Sequence, residues 1–325
     1  MKILYIGTPG IYERWKEHRN PSHWLYGAVE MEKDGNEVVW EKERHSFLND
    51  VKLLTKCRPD IIFIPNLNLN VHFLILVLSS LGVIRVPIYA FLHHEPNANS
   101  CVKVVLYKFL LSAPRHLFFL SELTMKNCVV AGFVKKDKCS VPGWGADIDF
   151  YSKIKTQDGE YFISTGKENR DFDILIEAFK KTGARLKIFT AKSHAGMNYE
   201  DLINKCSTIP NIEVFLTENS GEVYPQMLDA MAKSKALVCP LRKEALNYCV
   251  GLSTIADAEG LNKPLIITRN PYHETERVKD FYLVDTVDEW VDAINSIQRE
   301  GQVCNVGNRY SIKKCWDNMK QYIVG

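Results

Sequence analysis

The stretch 161–181, YFISTGKENRDFDILIEAFKK, reads as one repeating unit of a fold. Residues 161–164 form a short apolar run, as in a strand. Gly166 supplies a turn, Asp171 stands where a helix N-cap belongs, and 172–182 reads as a helix. The same strand–turn–helix unit recurs on both sides. Downstream, strands are expected at 186–190, 212–216, 236–240 and 264–268, with helices at 199–206, 223–233, 254–259 and 287–299. Upstream, strands are expected at 2–6, 37–40, 60–65, 86–92 and 116–120, with helices at 24–33, 71–81, 101–111 and 123–131. Between the two series lie a turn-rich piece, VPGWG at 141–145, and a polar one, SKIKTQDGE at 152–160. The run DIIFIP at 60–65 is apolar on both faces, as in a strand buried within a parallel sheet. Alternation of this kind predicts an α/β chain with two Rossmann-like, doubly wound parallel sheets. The boundaries expected are 1–151 for the first domain, 152–310 for the second, and 311–325 for an amphipathic terminal helix packing back on the first domain. Ligands of such folds bind outside the carboxyl ends of the strands, which puts the expected site in a cleft between the halves.

Composition agrees with two soluble domains. The chain has 325 residues, 46% hydrophobic and 25% charged, and about 150 residues per domain gives two. With 41 Lys+Arg against 39 Asp+Glu the net charge is +2, which argues against an electrostatically driven nucleic-acid binder. Nine cysteines without a CxxC pair read as reduced thiols of a cytoplasmic protein. The apolar run 71–84 is shorter than the ~20 residues that span a bilayer, and MKILYIGTPG lacks a signal-peptide cleavage site.

Several motifs carry possible chemistry. Gly251-Leu252-Ser253-Thr254 opens a helix, with Asp257 one turn on. Backbone N–H groups there could meet an anion, but an ordinary capped helix explains the same residues. In 165–171, Lys167 and Arg170 could clamp a diphosphate, or lie in a solvated loop. His93 and His94 sit at a strand's carboxyl end, where a neutral imidazole could exchange a proton or bond a sugar hydroxyl. Asp147 and Asp149 spell DxD; unaccompanied by further ligands they read as turn chemistry, with no metal. Trp15, Trp24, Arg14, Lys16 and Arg19 bunch near the N-terminus, and Lys103 and Lys108 flank an apolar helix face. Such groups could touch an anionic membrane surface, although a helix with its apolar face on the core accounts for 101–111.

Taken in order, these pieces resemble the GT-B glycosyltransferases, and most closely the retaining group called family 4. MKILYIG with DGNEVVW, Ser121-Glu122 with VPGWGAD, TGK with Arg170-Asp171 and ILIEAFKK, and CVGLSTIADAEGLNKPLII are similar to that family's successive segments over nearly the whole chain. The resemblance implies transfer of a sugar from a nucleotide-diphosphate sugar to a glycan, glycolipid or lipid-linked acceptor, with no metal and no other cofactor. Gly166, Lys167 and Arg170 would bind the donor diphosphate, with Gly251, Leu252, Ser253 and Thr254 meeting its phosphates. Asp257 would hold the ribose, where the family usually has glutamate. Thr190 would flank the base, Gly7 and Gly10 would let the acceptor side approach the phosphates, and His93, with His94 as a rival, would contact the sugar. Cys249 replaces an acidic residue of the family motif, which leaves the stereochemical outcome open. Polysaccharide or glycolipid assembly in the cytoplasm, at the inner face of the membrane, follows from the family alone. Two alternatives stand beside transfer: a GT-B sugar-nucleotide epimerase, with Glu95 and Glu274 as acid/base candidates, and a non-catalytic sugar-nucleotide-binding partner subunit.

Overall fold

A computed structural model describes residues 1–41, 46–194, 196–217, 220–300 and 310–324. The chain divides into two compact units, Met1–Asp147 with Tyr310–Gly325, and Ile148–Arg309.

The first unit runs β1 (Lys2–Tyr5), α1 (Ile11–Lys16), α2 (Ala28–Lys33), β2 (Glu37–Trp40), α3 (Phe47–Cys57), β3 (Ile61–Ile64), α4 (Phe73–Ser80), β4 (Ile88–Leu92), α5 (Cys101–Leu111), β5 (His116–Phe119), α6 (Glu122–Val130) and β6 (Cys139–Ser140). All strand pairs are parallel, in the order β2-β1-β3-β4-β5-β6. β3, β4 and β5 are buried on both faces, which is why they read as unbroken apolar runs. The stretch 24–33 departs from the expected single helix. A 3-10 turn at Ser22–Leu25 ends in left-handed Tyr26 and Gly27, and only then does α2 begin. The reason is remote in sequence: a Cβ at Gly27 would lie 2.9 Å from Met319 and 3.6 Å from Trp316 of the C-terminal helix.

The second unit runs α7 (Ile148–Tyr151), β7 (Tyr161–Thr165), α8 (Phe172–Thr182), β8 (Arg185–Ala191), the short strands β9 (Ser193–His194) and β10 (Met197–Asn198), α9 (Asp201–Cys206), β11 (Ile212–Thr217), α10 (Ser220–Ala232), β12 (Ala236–Cys239), α11 (Leu252–Leu261), β13 (Leu265–Thr268), α12 (Thr275–Val278), β14 (Tyr282–Val284) and α13 (Val287–Glu300). Its main sheet is again parallel, ordered β11-β8-β7-β12-β13-β14. Phe162, Phe179, Ile188, Val238 and Trp290 are at the centre of its core.

The chain then returns to the first unit as α14 (Ile312–Ile323). Trp316 Nε1 and Lys320 Nζ both donate to Asp34 at 2.7 Å, and the Tyr322 ring stacks on His116 at 4.0 Å. The buried face of α14 is the periodic set Ile312, Cys315, Trp316, Met319 and Ile323, and the bonds of Lys320 and Tyr322 lie beside it. Among the described residues no helix is long and apolar enough to cross a membrane.

Candidate functional site

Each sheet has a point where strand order reverses, between β1 and β3 in the first unit and between β7 and β12 in the second. Loops leaving neighbouring strands there depart to opposite faces and open a crevice.

At the second reversal, β7 ends at Thr165 and the chain turns through Gly166, whose φ of +102° favours glycine. A Cβ there would also stand 2.5 Å from the Arg170 guanidinium. Arg170 is buried. Its Nη1 donates to the Glu168 carbonyl at 2.8 Å, and its Nε and Nη2 donate to the Thr165 carbonyl at 3.4 and 3.1 Å. Nη2 also donates to Thr254 Oγ1 at 3.2 Å. A zip of backbone bonds ties the same loop to the end of β12: Asp171 N to the Pro240 carbonyl at 3.1 Å, and Arg242 N to the Asn169 carbonyl at 3.0 Å. Asp171 caps α8 by accepting from Ile174 N.

The start of α11 differs from that of α8. Its N-cap is Gly251, at φ +91°, and no side chain caps it. Ser253 and Thr254 are not caps but residues inside the first turn, which removes the ordinary capped-helix explanation of the motif. Ser253 is exposed, while Thr254 is buried against Arg170. The loop before α11 is fixed from β13's side: Asn270 Nδ2 donates to the Tyr248 carbonyl, and the His273 ring bonds the Val250 carbonyl at 2.9 Å. An uncapped N-terminus thus stands where a buried guanidinium and a glycine turn converge, a positive environment suited to an anion. Lys167 adds a partly exposed cation to the same loop.

Asp257 sits one turn further along α11 and faces inward. Its Oδ1 accepts from Tyr151 Oη at 2.6 Å and Tyr224 Oη at 2.7 Å, and the two phenols are 2.9 Å apart. Burial pushes its carboxyl up to about 6, against the opposing pull of the two tyrosine bonds. Gly260, on the same helix, leaves room for the Tyr151 ring, which a Cβ would strike. Oδ1 of Asp257 thus accepts two phenolic hydrogen bonds that tie α11 to α7 and α10.

Thr190, at the carboxyl end of β8, is buried, hydroxyl included. Beyond it the chain turns into β9 and β10, paired antiparallel, an element the sequence did not suggest. It brings two further residues to the Lys167 loop. Tyr199 Oη donates to the Lys167 carbonyl at 3.0 Å, and the His194 imidazole is pushed down, first by burial and then by the Lys167 charge. Neither gives a sequence signal beyond residue type.

At the first reversal, Gly7 and Gly10 follow β1. A Cβ at Gly7 would collide with the Tyr5 ring, and Gly10 begins α1 at φ +81°. His93 directly follows β4, and its Nε2 lies 2.9 Å from the Pro65 carbonyl. A carbonyl only accepts, so Nε2 carries the proton and Nδ1 is left as an acceptor. Burial brings this imidazole down to about 4, so it is neutral at pH 7. Its ring lies 5.3 Å from Tyr26. His94 is exposed, 6.5 Å from His93 between ring centres. Asp147 of the DxD triplet accepts the Ser22 amide at 2.7 Å and is buried. Of the N-terminal aromatic and basic cluster, Trp15 stacks with Tyr12 at 5.7 Å and Lys16 lies over the Tyr12 ring, and Tyr12 in turn stacks on Trp40 of β2 at 3.9 Å.

A scan of protein-family models finds no match to this chain, and a search of curated proteins finds none either. Solved structures do match over the full length. The UDP-GlcNAc 2-epimerase of Neisseria meningitidis, bound to UDP-GlcNAc, superposes with a TM-score of 0.54 at 13% identity, covering 100% of both chains. AviGT4, a glycosyltransferase involved in avilamycin A biosynthesis, superposes with a TM-score of 0.57 at 11% identity, covering 99% of this chain and 97% of its own. At such identities the likeness shows the fold: two Rossmann-like α/β units of the GT-B type.

Proposed function

We propose that the second unit binds the diphosphate of a nucleotide sugar, and that the protein is a glycosyltransferase acting on a glycan or lipid-linked acceptor. The observation that carries this reading is the uncapped start of α11, bonded through Thr254 and Arg170 to the glycine turn after β7 at the sheet's reversal point. Transfer of a glycosyl group leaves a nucleoside diphosphate, whose developing charge must be stabilised. Leu252 N donates to the Cys249 carbonyl; the Ser253 and Thr254 N–H groups of the first turn and the Lys167 ammonium supply that stabilisation in this reading, so the reaction needs no metal ion. Arg170 acts mainly by holding the loop and the helix end together. Asp257 positions α11 rather than gripping ribose. Both full-length structural likenesses are to proteins of nucleotide-sugar or glycosyl chemistry, which supports the same reading.

In the first unit, the neutral His93 fits a group that accepts a hydrogen bond from a sugar hydroxyl. A base near pKa 4 is a poor proton store at neutral pH, so His93 is assigned to orientation and His94 is left outside the chemistry. Reduced thiols suit a cytoplasmic reaction.

Thermal-shift screening with UDP, GDP, ADP and CMP tests the binding step, because a ligand of the native state raises its apparent stability. One or more of these should raise the Tm. Nucleotide sugars incubated with acceptor should then release nucleoside diphosphate. Tight binding without release on any acceptor would point to a non-catalytic partner subunit, and conversion of the sugar without transfer to an epimerase.

A further inference from the structure

A small cleft opens in the second unit, across the Lys167 loop from the start of α11. The crossovers β7–α8–β8 and β8–α9–β11 step one way along the strand order, and β12–α11–β13 steps the other. Right-handed crossovers then put α8 and α9 on one face of the sheet and α11 on the opposite face. The cleft lies on the α8–α9 side. Its floor is Phe172, Tyr199 and Leu202, each 5% exposed or less. The rings of Phe172 and Tyr199 meet edge to face at 5.2 Å. Its volume is about 90 Å³, well below the ~300–1,000 Å³ of sites that take drug-sized ligands. That scale suits one charged group, not a nucleotide.

Arg242 lines this cleft from the loop after β12. Its backbone N–H donates to the Asn169 carbonyl at 3.0 Å, and its Nε to the Arg170 carbonyl at 3.2 Å. The root and the stem of the side chain are therefore fixed. Its two terminal nitrogens are not committed in the same way. Among the described residues they make no hydrogen bond, and the carboxylate in ion-pair range, Glu244, stands 4.0 Å from Nη1. The side chain is 34% exposed, so these nitrogens are accessible to a ligand. A guanidinium oriented from behind, with its outer edge open, is a fork for a phosphate or carboxylate.

The other charges of the rim are already matched. Asp173 accepts from Lys205 Nζ at 2.8 Å, and Asp201 adds its charge to the same lysine. The charges of Arg170 and Arg242 both bear on the Tyr199 hydroxyl. Tyr199 Oη in turn donates to the Lys167 carbonyl at 3.0 Å. The groups around the open fork are thus the same groups that hold the Lys167 loop in place.

We propose that this cleft binds a single oxyanion, a phosphate or a carboxylate group, on the outer edge of Arg242, and that the bound anion stiffens the Lys167 loop from behind. The site is separate from the start of α11, and the inference does not depend on the nucleotide-sugar reading.

Calorimetric titration of the full chain with inorganic phosphate and with acetate, each against chloride at equal ionic strength, tests it. At least one of the two should bind. Tighter binding of phosphate identifies a phosphoryl source, and tighter binding of acetate a carboxylate. Arg242→Gln should weaken binding about tenfold or more. Asp201→Asn removes an acid of the rim at an exposed position and should tighten binding about threefold. This second variant decides the matter if Arg242→Gln fails to fold. Amide hydrogen exchange at residues 166–171 should slow at least twofold when the anion binds. Binding of neither anion overturns the proposal, as does unchanged affinity in Arg242→Gln or in Asp201→Asn. Loss of binding in Lys167→Ala with full binding in Arg242→Gln also overturns it, because the anion would then sit at the start of α11. Unchanged exchange at 166–171 removes the link to the loop.

Discussion

The reversal points of the two sheets are built from different chemistry. In the second unit, a buried arginine and an uncapped helix start make the surroundings positive, and the backbone is zipped in place by Asp171, Asn169 and Arg242. In the first, a neutral histidine and aromatic rings, Tyr26 and Phe91 at 5.1 Å and Tyr26 and Trp144 at 5.9 Å, make it polar but nearly uncharged. The same strand architecture thus frames a positive environment in one place and a nearly uncharged one in the other. What distinguishes them is the residue after each strand and the cap of each helix, not the sheet.

The contrast can be broken most severely at the support of α11. Arg277 and Glu259 form a buried bidentate pair at 2.6 and 2.8 Å. Arg277→Met leaves the carboxylate buried and unpaired, and should cost about 3–5 kcal/mol in chemical denaturation. Arg170→Ala removes four hydrogen bonds from one buried group. It should cost about 3 kcal/mol and also abolish nucleotide binding. Arg170→Lys, which cannot reproduce the fork, should recover little of either.

Asp257 predicts a pH signature. Its folded carboxyl is raised to about 6 from an unfolded value near ~4. The folded state therefore holds its proton longer than the unfolded chain. Stability from this group is greatest below pH ~4 and falls by about 2–3 kcal/mol as pH rises to about 6, then stays level. Asp257→Asn should erase that decline, read as the difference between wild-type and variant stability across the window. His93 has the opposite sign. Its folded imidazole is lowered to about 4, so the stability it contributes is complete above the unfolded value of ~6.5 and is lost as pH falls toward 4. Proton NMR titration should find its ring neutral at pH 6. A charged ring at that pH would remove the distinction between the two reversal points. His93→Ala should lower turnover more than His94→Ala.

Much of this was legible in the sequence because parallel strands buried on both faces leave continuous apolar runs. Residues 61–64, 88–92, 236–239 and 265–267 all announce themselves this way. The residues following those runs were legible as site candidates for the same reason. What stayed hidden depends on partners far along the chain. Arg170 reads as a surface clamp until Thr254, 84 positions away, accepts one of its hydrogen bonds. Asp257 reads as a ligand group, and the bonds that its Oδ1 accepts from Tyr151 and Tyr224, 106 and 33 positions away, leave no trace in the local sequence. The helix expected at 24–33 is broken at Gly27 by the packing of α14. Helix α3 was missed although Phe47, Val51 and Leu54 stand at helical spacing and Ser46 caps it by accepting from Asn49 N.

The most direct measurement is calorimetric titration of the wild type and Lys167→Ala with UDP, GDP, ADP and CMP and with the matching uncharged nucleosides. If the second reversal point is a diphosphate site, one nucleoside diphosphate binds, its nucleoside binds at least tenfold more weakly, and Lys167→Ala raises the Kd about tenfold while altering stability by less than ~0.5 kcal/mol. Equal affinity for diphosphate and nucleoside, no binding of any of them, or an unchanged Kd in Lys167→Ala would contradict it.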